Sequence, residues 1–227
     1  MKPILLLWSL CLTAAQAHDI ITTPITFDRE IIRILNDRCN SCHRPGGSAF
    51  SLMTYSEARP WAVAIKEEVL SRRMPPWGAV KGFGDFRNDK ALTPEQLEVI
   101  TSWVDGGVPE GEPKDLPPEP KFTPTLPVEH LRGDLAVSGE FQFTRPFTLD
   151  GIVIEKAPPQ ANFQITAELP DGAIEPLLWV EQYKPQFAHP FLLRTPLELP
   201  KGSVIHGIPE GARVILQAPA PTATASK

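Results

Sequence analysis

The hydrophobic period of this chain changes once along its 227 residues, and the change falls at a proline-rich stretch. From Phe27 to Val104 apolar residues recur at three- and four-residue spacing, the period of a helix face, whereas beyond Phe141 they recur at two, the period of a strand. Between them, Pro109 to Pro127 hold seven prolines and almost no periodic apolar pattern, which predicts an extended, semi-rigid linker. The expected architecture is therefore multidomain. An all-α unit covers 18–112, a linker 113–127, an all-β antiparallel sandwich 128–217 and a flexible tail 218–227.

The first unit offers three helices. Phe27, Ile31, Ile32, Ile34 and Leu35 form one stripe that runs directly into Cys39. Thr54 and Glu57 form a capping box ahead of Ala58 to Ser71, where Pro60 kinks the helix or marks its first turn. Thr93, Pro94 and Gln96 start a third helix that carries Leu97, Ile100, Trp103 and Val104 and stops at Gly106-Gly107. In the second unit Phe163 with Ile165, Leu177 to Val180, Phe191 to Leu193 and Val214 to Leu216 read as strands. Pro170-Asp-Gly172, Pro200-Lys-Gly202 and Pro209-Glu-Gly211 supply turns.

Residues 1–17 read as a cleavable secretory signal: Lys2, an apolar run from Ile4 to Leu12 broken only by Ser9, then small residues ahead of His18. The run is too short for a membrane span, which needs roughly 18 apolar residues. The expectation is a periplasmic or otherwise exported protein with no integral membrane segment after cleavage. Twenty-two basic and twenty-seven acidic side chains, with no block of like charge, leave no footprint for nucleic acid. Cleavage also removes Cys11, so the exported chain keeps Cys39 and Cys42 alone, too few for a disulfide framework.

Cys39-Asn40-Ser41-Cys42-His43 is the most specific motif in the chain. C-x-x-C-H is the attachment sequence of c-type haem: two thiols, two residues apart, reach the two vinyl groups on one porphyrin edge, and the next histidine meets the iron. The competing readings are a redox dithiol, which normally opens a helix rather than closing one, and a zinc site, which needs four ligands. A haem iron held by His43 takes a second axial ligand, in electron carriers often methionine. Met74, in Arg72-Arg-Met-Pro-Pro-Trp77, sits in a loop stiffened by two prolines; Met53 stands in an apolar lead-in to a helix and reads as core filler. Arg72 or Arg73 is a candidate partner for a haem propionate, against the plain reading of a solvated arginine. Trp77 is a candidate haem contact or a core residue. Pro45 or a neighbour can offer a carbonyl to the free nitrogen of His43.

With these motifs together, residues 26–112 resemble a class I monohaem c-type cytochrome domain. The likeness is to the variety with C-x-x-C-H-R-P-G (Cys39 to Gly46), T-Y (Thr54-Tyr55), R-M-P-P-W (Arg73 to Trp77) and W-V-D-x-G (Trp103 to Gly107) that is fused to copper type II ascorbate-dependent monooxygenase modules. The resemblance implies an all-α cytochrome c-like haem domain, one covalent haem c on Cys39 and Cys42, His43 and Met74 as axial ligands, and first and last helices that cross to close the crevice. Residues 162–202 resemble a truncated version of the copper module. Where that family places an H-x-H copper pair, this chain has Lys156-Ala-Pro-Pro-Gln-Ala-Asn162.

His130, His189 and His206 are scattered, and His18 has no second histidine nearby, so no copper is expected. The resulting expectation is a one-electron carrier with a redox-protein donor or acceptor. The alternatives are a haem-containing relative of a copper-dependent monooxygenase and a docking or assembly module for a redox complex.

Overall fold

The computed structural model describes residues 23–122 and 134–220. The expected signal segment, His18, His130, residues 123–127 of the expected linker and the tail from 221 lie outside the described residues.

The expected class, an all-α cytochrome c-like unit followed by an all-β one, is not what the chain forms. The described residues are mostly β: eight strands in two antiparallel sheets, with few and short helices and no separate all-α domain. The helices are α1 (Ile32–Arg38), continued backwards by a π-helical stretch Phe27–Ile31, then α2 (Tyr55–Ala58), α3 (Ala62–Leu70) and α4 (Pro94–Asp105). The strands are β1 (Leu135–Val137), β2 (Phe141–Gln142), β3 (Phe147–Lys156), β4 (Phe163–Glu168), β5 (Ile174–Val180), β6 (Pro190–Leu199), β7 (Val204–His206) and β8 (Arg213–Gln217). One sheet runs β1-β8-β3-β6 and the other β2-β7-β4-β5. Their inner faces enclose Leu149, Ile152, Ile165, Leu178, Leu199 and Val214, each almost fully buried.

The departure from a separate helical domain has a local cause between α3 and α4. Residues 75–92 carry prolines, glycines and no helical stripe, so this segment stays extended with backbone groups to satisfy. Each sheet has two edge strands, β2 and β5 in one and β1 and β6 in the other, and β5 and β6 are the two that this segment reaches. The segment covers the two in turn. Ala79 bridges Val180, with Val80 N donating to Trp179 O at 2.9 Å and Glu181 N to Gly78 O at 2.9 Å. Phe86 then bridges Leu193, with Arg87 N donating to Leu192 O and Arg194 N to Asp85 O, each at 2.9 Å. Exposed edges invite pairing with other chains, and this strap closes both. Trp77 and Phe86 go with it into the sandwich core. Arg87 clamps Asp150 with two bonds of 2.9 and 2.7 Å.

The helices gather on a second, smaller core of Phe27, Ile31, Leu35, Ile100 and Trp103. Both capping boxes form, Thr54 with Glu57 and Thr93 with Gln96, and Pro94 starts α4. Pro60 breaks the middle helix into α2, a single 3-10 turn Arg59–Trp61, and α3. The start of the proline stretch straps this core: Phe27 N donates to Pro109 O at 3.0 Å, Asp28 N to Glu110 O at 2.9 Å, and Trp103 Nε1 to Pro109 O at 3.0 Å. No helix among the described residues is long and apolar enough to cross a membrane.

Candidate cofactor site

Cys39 is the residue at which α1 stops, its N–H bonded to Leu35 O at 2.8 Å. The chain then turns tightly, Cys42 N and His43 N both donating to Cys39 O at 3.0 Å. Gly46 adopts φ 72°, and at Gly47 a Cβ would come within 2.2 Å of Cys42 O, so only glycine lets the chain double back there. The return leg is tied by Ala49 N to Cys42 O at 3.2 Å and Leu52 N to His43 O at 3.0 Å. This loop brings the Phe50 carbonyl to 3.0 Å from His43 Nδ1. The carbonyl that holds the imidazole is thus Phe50, not Pro45 or a residue next to it. A carbonyl acceptor fixes the proton on Nδ1 and leaves the lone pair on Nε2, the arrangement of a ligating histidine.

The two thiols are free of each other. Cys39 is half-buried and Cys42 exposed. Burial, then the charges of Asp37 and Cys42, push the Cys39 thiol up to about 12. That direction opposes a redox dithiol, whose attacking thiol needs a lowered pKa, and the pair sits at the wrong end of its helix for one. A zinc site fares no better, because among the described residues no three His, Cys, Asp or Glu side chains gather as a metal site.

Around His43 the protein surface is apolar and aromatic. The Phe50 ring lies 4.9 Å from the imidazole, edge-on, and 4.5 Å from the Trp61 ring, yet Phe50 is 48% and Trp61 46% exposed. Val63 and Leu70 of α3 are exposed as well. Two unpaired thiols, an imidazole with its Nε2 lone pair set free, and an uncovered aromatic flank form a donor set that fits a covalently held haem.

The loop after α3 carries Met74. Arg73 N and Met74 N both donate to Glu68 O, at 2.9 and 3.2 Å. The Arg73 guanidinium grips the Glu68 carboxylate through Nε at 2.9 Å and a terminal nitrogen at 2.8 Å, and this pairing holds the carboxyl below its usual range. The fork that a propionate would need is thus occupied by Glu68. Met74 lines a cavity of about 290 Å³ between the helices and the sandwich, with Val69, Leu92 and Leu97 on one wall and Trp77, Tyr183 and His189 on the other. Met53 lies elsewhere, in a shallow depression with Ile32, Asn36 and Leu116.

The cysteines and His43 do not line the Met74 cavity. Leu92 and Leu97 line it, and they pack on the same helical core as Cys39. Trp77 is 6% exposed and belongs to the sandwich core, stacked on His189 at 4.8 Å and edge-on to Phe191 at 5.1 Å.

His189, one of the three scattered histidines of the sequence beyond the linker, is on the cavity wall that the sandwich supplies. Its Nδ1 lies 2.7 Å from Phe187 O, and its buried Nε2 makes no hydrogen bond. Burial holds this imidazole below the usual histidine range, against the pull of the Phe187 and Trp77 backbone. Nothing in the sequence marks it, because Trp77, against which it stacks, is brought to it only by the strap. His206 is held between Glu140 and Glu168, each at 3.2 Å.

No family model, curated protein or solved structure matches this chain.

Proposed function

We propose that this chain is an exported one-electron carrier that holds a single haem c through Cys39 and Cys42. The observation that carries this reading is the loop from Cys39 to Phe50, which presents both thiols and locks the His43 ring by its Nδ1 on a backbone carbonyl. Bound there, the haem supplies reversible one-electron chemistry at iron. The residues of the chain hold it and set its environment. Both thiols would tether it, His43 would offer Nε2 to the iron, and Phe50 and Trp61 would lay apolar surface beside it.

Met74 is the proposed sixth ligand, a thioether delivered by a loop anchored on Glu68 O. With both His43 and Met74 on the iron, no position would remain for substrate, which favours electron transfer to a redox-protein partner over catalysis.

The test is denaturing electrophoresis of the exported protein followed by haem-peroxidase staining. A stained band at the full-length position, weakened in Cys39→Ser and absent in the Cys39→Ser, Cys42→Ser double variant, supports the reading. Haem that leaves the wild-type chain into acidified solvent defeats it.

A further inference from the structure

The loop that follows His43 carries one large apolar side chain, Phe50. Pro45, Gly46, Gly47 and Ser48 before it are all exposed, so the loop has no core of its own to rest on. The neighbours of Phe50 are tied down, by Ala49 N to Cys42 O, Leu52 N to His43 O and Ser51 Oγ to the Glu57 carboxylate. Among the described residues, however, the Phe50 carbonyl has the His43 ring as its one hydrogen-bond partner, at 3.0 Å. The backbone brackets that peptide without fixing how it turns, and the packing of the Phe50 ring decides it.

The Phe50 ring meets two others in series: His43, edge-on at 4.9 Å, and Trp61 at 4.5 Å. The break in the middle helix puts Trp61 there. Pro60 tightens Arg59–Trp61 into a single 3-10 turn, and Trp61 leaves it with φ −101° and ψ 0° before α3 begins. Aromatic rings at such separations attract one another beyond the area they bury. Phe50 and Trp61 are each about half exposed, so their contact fills no closed core.

We propose that Trp61 is a positioning residue for His43: through the Phe50 ring it holds the Phe50 carbonyl on Nδ1, which keeps the proton on that nitrogen and the lone pair on Nε2. The ring contacts stand without a cofactor, and their consequence at iron rests on the haem reading above. A carbonyl on the far nitrogen makes a ligating imidazole a stronger donor, which favours the oxidised metal and lowers its reduction potential.

The experiment labels the full-length chain with ¹⁵N-histidine and reads the His43 ring nitrogens of the haem-free, thiol-reduced protein at alkaline pH, where imidazoles are neutral. His43→Gln assigns the signals. The wild type is expected to carry its proton on Nδ1. Trp61→Ala and Phe50→Ala are each expected to lose that preference to the Nε2-protonated form, and Trp61→Phe, which keeps a ring for Phe50 to rest on, to retain it. In holoprotein Trp61→Ala is expected to raise the reduction potential and Trp61→Phe to leave it near the wild-type value. A wild type protonated on Nε2 overturns the proposal, as does a Trp61→Ala or Phe50→Ala chain still protonated on Nδ1, or a Trp61→Phe chain that behaves like Trp61→Ala. Absence of a haem-stained band in the wild type sinks the haem reading, while the ring nitrogens of the haem-free chain still decide this inference.

Discussion

The helical region and the sandwich solve the burial problem differently. The two sheets of the sandwich share one core, and the β5 and β6 edges are covered by the strap that links α3 to α4. The helical region buries Phe27, Leu35, Ile100 and Trp103 but leaves Phe50 and Trp61 half-exposed beside the C-x-x-C-H loop, and Val63 and Leu70 of α3 exposed. Isolated exposed apolar residues are ordinary, but aromatic rings in mutual contact next to the C-x-x-C-H motif are the more informative observation. One region buries its apolar side chains between two sheets, and the other leaves a pair of aromatic rings open to solvent.

The largest effect that would break this comparison comes from the strap. Phe86→Ala should cost about 3–5 kcal/mol, since a nearly buried aromatic leaves the sandwich core. It should also uncouple the two regions, so that helix and strand backbone signals melt at different urea concentrations. Coincident transitions in the variant would show that the strap is not what joins them.

Next comes a matched pair. Leu149→Ala, fully buried between the sheets, should cost about 2–5 kcal/mol by urea denaturation. Phe50→Ala should change the stability of the haem-free chain by less than about 0.5 kcal/mol, as surface substitutions do. Equal costs would mean that the aromatic face is part of a closed core after all.

Asp150→Ala removes the carboxylate that Arg87 clamps and should cost about 0.5–1 kcal/mol, because the guanidinium is partly solvated and water screens the pair. The loss should shrink at high salt.

The smallest effects are opposite pH slopes, one in each region, read as melting temperature against pH. Asp28 is pushed up by burial and then by Glu110, Asp115 and Glu112, so the native state binds its proton more tightly than the unfolded chain. Stability from this group is therefore lost as pH rises above the ordinary aspartate range, and Asp28→Asn should flatten that loss. His189 is pushed down by burial, so its contribution is complete above the ordinary histidine range and lost as pH falls below it. His189→Phe should remove the acid-side loss and leave the Asp28 slope untouched.

Local signals were legible where the determining partners are close in sequence. Thr54 with Glu57 and Thr93 with Gln96 form their caps because three residues span one helical turn, and Cys39 ends α1 where the apolar stripe runs out. The period of two located Phe163 and Ile165 on one buried face of β4. Very short strands such as the three-residue β1 gave too little pattern to find.

The separate helical domain was the error, and its source is specific. A Pro- and Gly-rich run between two helices reads as a loop from sequence, and nothing local reveals that Ala79 and Phe86 will pair with Val180 and Leu193 more than 100 residues later.

The sequence by itself determined the helix caps, the strand alternation and the Cys39, Cys42 and His43 triplet, since each depends on spacing within about one turn or one strand. Tertiary structure alone decided that Phe50 supplies the carbonyl for His43, that Glu68 takes the Arg73 fork, that Trp77 joins the sandwich, and that His189 shares a cavity with Met74. These depend on which surfaces meet when apolar area is removed from water. That choice is non-directional and is settled by the whole chain rather than by any short segment of it.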